Sequence, residues 1–163
     1  MMARTKKYFI IFSIFLVIFI IFIGLNEIQK KKNQAKVGEP IVINLLTSVH
    51  PKLLWKFRPL NLKVTVMPGD VTTIEYIVEN IGNQETSGIA TFAYFPNEFG
   101  KYIRKINCFC YDAKTLKSKE KDKYSVVLII DPEVTKDSKT KNVKEVTIQF
   151  TFFDYKEYKK YND

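Results

Sequence analysis

Hydrophobic positions follow two different patterns along the chain. From Tyr8 to Leu25 the sequence YFIIFSIFLVIFIIFIGL is apolar throughout, with no charge and one hydroxyl, Ser13. As a helix rising 1.5 Å per residue such a run spans about 27 Å, close to a bilayer core. The expectation is a transmembrane anchor over 8–25, behind a short cytoplasmic basic segment over 1–7 that holds Arg4, Lys6 and Lys7. A cleaved signal peptide is the rival reading. Its apolar region runs about 7–15 residues and ends in small residues, whereas Ile23-Gly24-Leu25-Asn26-Glu27 is a poor cleavage site. Residues 26–37 are charged, show no apolar period and read as a linker.

After residue 38 the period changes to two. Leu62, Val64 and Val66 alternate with Lys63 and Thr65; Ile74, Tyr76 and Val78 with Thr73, Glu75 and Ile77. Val146, Ile148, Phe150 and Phe152 alternate with Thr147, Gln149 and Thr151. Such alternation marks strands with one buried face. Further strands are expected at 41–47, 88–95, 101–109 and 124–130. Met67-Pro68-Gly69-Asp70 suits a type II turn, with Gly69 at positive φ. Asn80-Ile81-Gly82-Asn83 and Asp131-Pro132-Glu133 mark other breaks. The fold class expected is all-β: an immunoglobulin-like antiparallel β-sandwich over 38–154, preceded by one N-terminal transmembrane helix. Lys114 to Lys123 reads as a charged loop, and 155–163 as a charged, solvated tail.

Composition narrows the function classes. Aromatic residues make up 14% of the 163 residues, which together with the strand pattern excludes a disordered chain. Two cysteines exclude a disulfide-stapled miniprotein. His50 is the single histidine, which nearly rules out a His-based metal site or catalytic triad. The net charge is +9, but Arg4, Arg58 and Arg104 are the only arginines among 26 basic residues. Phosphate recognition favours the planar arginine fork, and the lysines are interspersed with Glu and Asp. The charge reads as a solubilising surface, with no nucleic acid as partner. No G-x-S-x-G, H-E-x-x-H or phosphate-binding loop is present. Asp131 and Glu133 flank Pro132 and read as turn residues rather than paired catalytic carboxylates. The chain is expected not to be an enzyme.

Cys108-Phe109-Cys110 is the one dense chemical signal. On a strand, residues i and i+2 share a face, so both thiols would point one way and Phe109 the other. Their Cα atoms would lie about 6.6–6.8 Å apart, near the upper limit for a disulfide. An extended pair is thus poorly placed to close and well placed to offer two soft thiolates, which select Cu(I), zinc or iron–sulfur. Two ligands leave a tetrahedral site incomplete, and a homodimer would supply four. A buried structural pair packing as small hydrophobes explains the same motif equally well. Met67 and Trp55 with Phe57 read as packing residues, and His50 before Pro51 as a loop residue.

Beyond these spacings the chain resembles the CtaG-type cytochrome c oxidase assembly proteins, membrane-anchored copper chaperones. The resemblance runs from Trp55 to Phe153. Trp55-Lys56-Phe57-Arg58-Pro59 is similar to the family's W-x-F-x-P. Pro68-Gly69-Asp70 with Tyr76 and Asn80 resembles its P-G-E, Y and N pattern. Ala90, Pro96, Gly100-Lys101-Tyr102 and Lys105-Ile106 lead into Cys108-Phe109-Cys110-Tyr111 as the family's segment leads into C-F-C-F. Asp131-Pro132-Glu133 and Thr147-Ile148-Gln149-Phe150-Thr151-Phe152-Phe153 resemble D-P-E and T-L-S-Y-T-F-F.

The resemblance implies Cu(I) held by Cys108 and Cys110, across a homodimer, and delivered to the CuB centre of cytochrome c oxidase subunit I. It implies a single-pass protein of the bacterial inner membrane with its C-terminal domain facing the periplasm, or of the mitochondrial inner membrane in a eukaryote. The short basic start and the missing leader point to the bacterial case. Thiols in an oxidising compartment need a reductant, so a thioredoxin-like reductant and an upstream copper donor are expected partners. Three departures stand out. No cysteine occurs from Gly24 to Glu39, where the family carries one. The family's E-Q falls at Ala113 and Lys114, and its M-P at Tyr124 and Ser125. Two other functions stay open: a membrane-tethered thiol–disulfide oxidoreductase, and an anchored β-sandwich scaffold with no metal.

Overall fold

The computed structural model describes residues 16–25 and 38–162. The chain divides into two units, Met1–Lys36 and Val37–Asp163. In the first, residues 16–25 form a helix, α1, whose apolar side chains are exposed. No helix among the described residues is long and apolar enough to cross a membrane. This corrects the expected transmembrane helix, and with it the signal-anchor character and the single-pass inner-membrane placement. Residues 8–15 of the expected anchor, the basic segment 1–7 and the linker 26–37 lie outside the described residues.

The second unit is mostly β. Its strands are β1 (Ile41–Val49), β2 (Trp55–Pro59), β3 (Lys63–Val66), β4 (Val71–Asn80), β5 (Thr86–Phe95), β6 (Ile103–Cys108), β7 (Lys114–Leu116), β8 (Lys121–Ile130) and β9 (Glu145–Asp154). They form two open sheets, ordered β3-β1-β9-β5-β7 and β2-β4-β8-β6. Buried and less buried residues alternate along β4, β8 and β9, as a sheet with one covered face requires. The sheets face each other through aromatic rings. Phe57 of β2 meets Phe152 of β9 at 4.9 Å, and Tyr76 of β4 meets Phe150 of β9 at 5.5 Å between centroids. Along one side β1 and β2 approach directly, where the Thr47 hydroxyl donates to the carbonyl oxygen of Phe57 at 3.0 Å.

The expected antiparallel immunoglobulin-like sandwich needs correction here as well. β1 and β9 run parallel, in register from Val42 opposite Glu145 to Val49 opposite Phe152. Hairpins force neighbouring strands antiparallel, but these two are separated by the rest of the domain and are free of that constraint. Two strands lie outside the segments where strands are expected, although Trp55-Lys56-Phe57-Arg58 does alternate and its burial follows that alternation. β2 is a short edge strand that ends in Pro59, a place where the missing N–H is tolerated. β7 is three residues long and begins the segment read as a charged loop. The tail forms a helix, α2 (Tyr155–Asn162), started by the Asp154 carboxylate, which accepts the Glu157 N–H at 3.0 Å. Lys52 ties this helix down through Glu157 at 2.8 Å.

The turn at Met67–Asp70 forms as its residues require. Gly69 sits at φ 91°, and the Asp70 N–H donates to the Met67 carbonyl at 3.0 Å. Asn80, fully buried, holds the next break together. Its amide donates to the carbonyls of Gln84 at 2.8 Å and Leu116 at 3.0 Å, and its oxygen accepts the Gly82 N–H at 2.9 Å.

Candidate functional site at the end of β6

β6 is one of the two edge strands of the four-stranded sheet, opposite β2, and it is irregular. Its pairing with β8 shifts register between Lys105 and Asn107, which leaves Ile106 bulged and exposed. The extended run ends at Cys108, and Phe109–Tyr111 forms a 3-10 turn. A 3-10 turn advances about 2.0 Å per residue, against about 3.3 Å on a strand. The cysteine Cα atoms are therefore 5.0 Å apart, and Cys108 and Cys110 are joined as a disulfide. The extended, open arrangement expected of the pair is thus corrected, because the strand stops at the first cysteine, two residues short of the second. The Cys110 N–H donates to the Cys108 sulfur at 3.2 Å, which holds the turn from within.

Core packing dictates the turn. Phe109 is buried and its ring touches five others: Phe57, Tyr76, Tyr124, Phe150 and Phe152, with centroid separations from 5.0 to 5.8 Å. Cys108 is buried beside it, while Cys110 is only partly covered. Two consecutive buried residues cannot both point inward from a regular strand, so the backbone leaves the extended region at Phe109. An open groove of about 450 Å³ runs alongside. Lys114, Tyr124 and Ser125, three of the positions that depart from the expected pattern, line it together with Cys108 and Tyr111.

The other singled-out residues lie in structural roles. The His50 ring stacks on Phe153 at 5.6 Å, and its Nδ1 accepts the Lys52 N–H at 3.4 Å. The Asp131 carboxylate accepts the Glu133 N–H at 3.0 Å and caps a 3-10 turn over Pro132–Thr135. Trp55 and Phe57 are core, and the Trp55 indole N–H donates to the Thr86 hydroxyl at 2.8 Å. Among the described residues no group of three or more His, Cys, Asp or Glu could hold a metal ion.

Two neighbours of the thiol pair entered the sequence analysis only within the resemblance, with no role of their own. The Lys105 ammonium lies over the Phe92 ring, and burial pulls its pKa down to about 8. The Tyr111 hydroxyl donates to the Lys105 carbonyl at 2.8 Å. The signal for Tyr111 was the hydroxyl itself, at a position where the resembling pattern has Phe.

Comparison with known proteins supplies the context for this site. The family model described as cytochrome c oxidase assembly protein CtaG/Cox11 matches residues 17–154. The cytochrome c oxidase assembly protein CtaG of Ehrlichia ruminantium (strain Gardel) is 38% identical over 125 residues, covering 76% of this chain and 71% of that protein. Its counterpart from Brucella ovis is 41% identical over 130 residues, covering 80% of this chain and 65% of that protein. Among solved structures, the ASH/PapD-like domain of human CEP192 (PapD-like domain 7) aligns at 11% identity and a TM-score of 0.30, covering 74% of this chain and 86% of that one. A likeness that slight carries no argument. The family match extends through β6 and the cysteine turn to the end of β9, and with these relatives it shows that the chain belongs to the cytochrome c oxidase assembly protein CtaG/Cox11 family, a family of assembly proteins rather than enzymes.

Proposed function

We propose that the chain serves cytochrome c oxidase assembly through a reversible thiol pair, Cys108 and Cys110, used once per assembly event rather than as a catalyst. The observation that carries this reading is the closed bond between the two cysteines in a turn that leaves Cys110 partly accessible. Opening the bond takes up two electrons and two protons. A thiolate of a thioredoxin-like dithiol attacks one sulfur and forms a mixed disulfide, its second thiol resolves that bond, and both cysteines leave as thiols.

A second reading takes Cu(I) as the cargo of the opened pair. Family membership favours it, as does the softness of two adjacent thiolates. In this reading Cys108 and Cys110 hold the ion as thiolates and release their protons to solvent. A second copy of the chain completes the ligand set, an upstream donor loads it, and oxidase subunit I receives it at CuB. The closed pair has no thiolate to offer, so the first chemistry gates the second.

One experiment separates the readings. The purified full chain and its Cys108→Ser/Cys110→Ser variant are reduced anaerobically and titrated with Cu(I), with free thiols counted before and after exposure to thioredoxin. About one Cu(I) per chain, lost in the variant, supports the cargo reading. Thiols that open and close with thioredoxin but bind no copper support exchange alone. Thiols that do neither sink both.

A further inference from the structure

This inference rests on the thiol reading above and concerns what holds the pair closed. Tyr111 ends the 3-10 turn that carries Cys110, and its hydroxyl donates to the carbonyl oxygen of Lys105 at 2.8 Å. Lys105 is the last residue of β6 in register before the bulge. The hydrogen bond therefore pins both ends of the segment 105–111, and the two cysteines lie inside the pinned stretch. Tyr111 is 54% exposed, so its hydroxyl fills no gap in the core.

We propose that the Tyr111 hydroxyl is a positioning group that biases Cys108 and Cys110 toward the disulfide. When the bond opens, Phe109 stays packed among its rings, but the Cys110–Tyr111 end of the turn loses its tether to Cys108 and is free to move outward from the closed Cα separation of 5.0 Å. That movement carries Tyr111 away from the Lys105 carbonyl. The hydrogen bond and the disulfide thus favour the same backbone, and by linkage each stabilises the other. A hydrogen bond of ordinary net strength shifts such an equilibrium roughly two- to twelvefold. Closure itself needs an oxidant. With glutathione disulfide, one cysteine thiolate attacks and expels a glutathione thiolate; the other cysteine then displaces the second. Two electrons pass to glutathione, and the two thiol protons end on its two thiols.

The test equilibrates the full chain with mixtures of reduced and oxidised glutathione at neutral pH. The closed fraction is read by alkylation and mass. Tyr111→Phe is compared with wild type and with Tyr102→Phe, which removes a hydroxyl bonded instead to Asp137 at 2.7 Å. The expected result is a shift of about two- to twelvefold toward the dithiol for Tyr111→Phe and none for Tyr102→Phe. Thermal unfolding of each redox form supplies the second readout: Tyr111→Phe lowers the oxidised form and leaves the reduced form in place. Equal lowering of both forms, or an unchanged glutathione equilibrium in a wild type that does cycle, overturns the proposal and leaves the thiol reading standing. A wild type that never closes overturns both.

Discussion

The Phe109 and Tyr76 rings meet edge to face at 5.4 Å between centroids, with the ring planes 64° apart. This contact joins the residue between the two cysteines to the middle of β4. Phe109 also touches Phe150 and Phe152 on the facing sheet. One side chain therefore couples the geometry of the thiol turn to the stability of the whole unit. Phe109→Ala is expected to cost about 3–5 kcal/mol, and Phe109→Leu about 1–2 kcal/mol, in denaturant unfolding. A cost below about 1 kcal/mol for the alanine variant would show that the turn is held some other way.

Tyr76 offers the opposite expectation. It is fully buried, and its hydroxyl has no hydrogen-bond partner among the described residues. A buried, unpaired hydroxyl costs folding energy that a phenyl ring does not. Tyr76→Phe is expected to raise stability by about 1 kcal/mol, seen as a higher unfolding midpoint. A clear loss would reveal a partner for the hydroxyl.

Asn80 cannot be replaced so freely. Its side chain satisfies the carbonyls of Gln84 and Leu116 and the N–H of Gly82 in a buried site. Asn80→Ala strands backbone groups where water does not reach, and should cost about 3 kcal/mol. The Leu116 bond reaches into β7, so amide exchange in β7 and β5 should speed up before exchange in β4.

Alkaline pH tests the setting of Lys105. Burial pulls its pKa to about 8 from 10.5, so between those values the unfolded chain holds a proton that the folded chain has released. Stability should therefore rise with pH across that window. Above pH 10 the slope reverses. Burial raises the pKa of Tyr76 and Tyr124 and that of Tyr94 to about 12, so the unfolded chain loses its phenol protons first. Lys105→Met should flatten the rise and leave the fall. A rise of the same slope in that variant would assign it to another group.

Acid acts elsewhere. The Asp137 carboxylate accepts bonds from Lys101 at 2.7 Å, the Lys139 N–H at 2.9 Å and the Tyr102 hydroxyl at 2.7 Å, which hold its pKa well below the usual carboxylate range. Its contribution is present above the unfolded carboxylate pKa and is lost as pH falls through the folded one. Asp137→Asn should make the acid unfolding curve shallower below pH 4.

Local pattern was enough to locate most strands. Period-two alternation marked β3, β4 and β9, because a sheet with one covered face sorts neighbouring side chains by polarity. Pro68-Gly69 set its turn, since Gly69 alone there takes φ 91° without strain. The blocks around Trp55, Asn80 and Cys108 were enough to suggest the family, and the cysteines were legible as the chemistry. Pairing direction was not legible. β1 lies parallel to β9 because two strands distant in sequence met in the fold, and alternation carries no sign of direction. The run from Tyr8 to Leu25 showed apolarity, but the described helix covers only residues 16–25. The closing of Cys108 on Cys110 was also decided by tertiary structure. Spacing i to i+2 permits 5.0 Å or a fully extended separation, and the choice turns on the backbone at Phe109. That backbone is set by five aromatic rings drawn from β2, β4, β8 and β9, which only the folded core brings together.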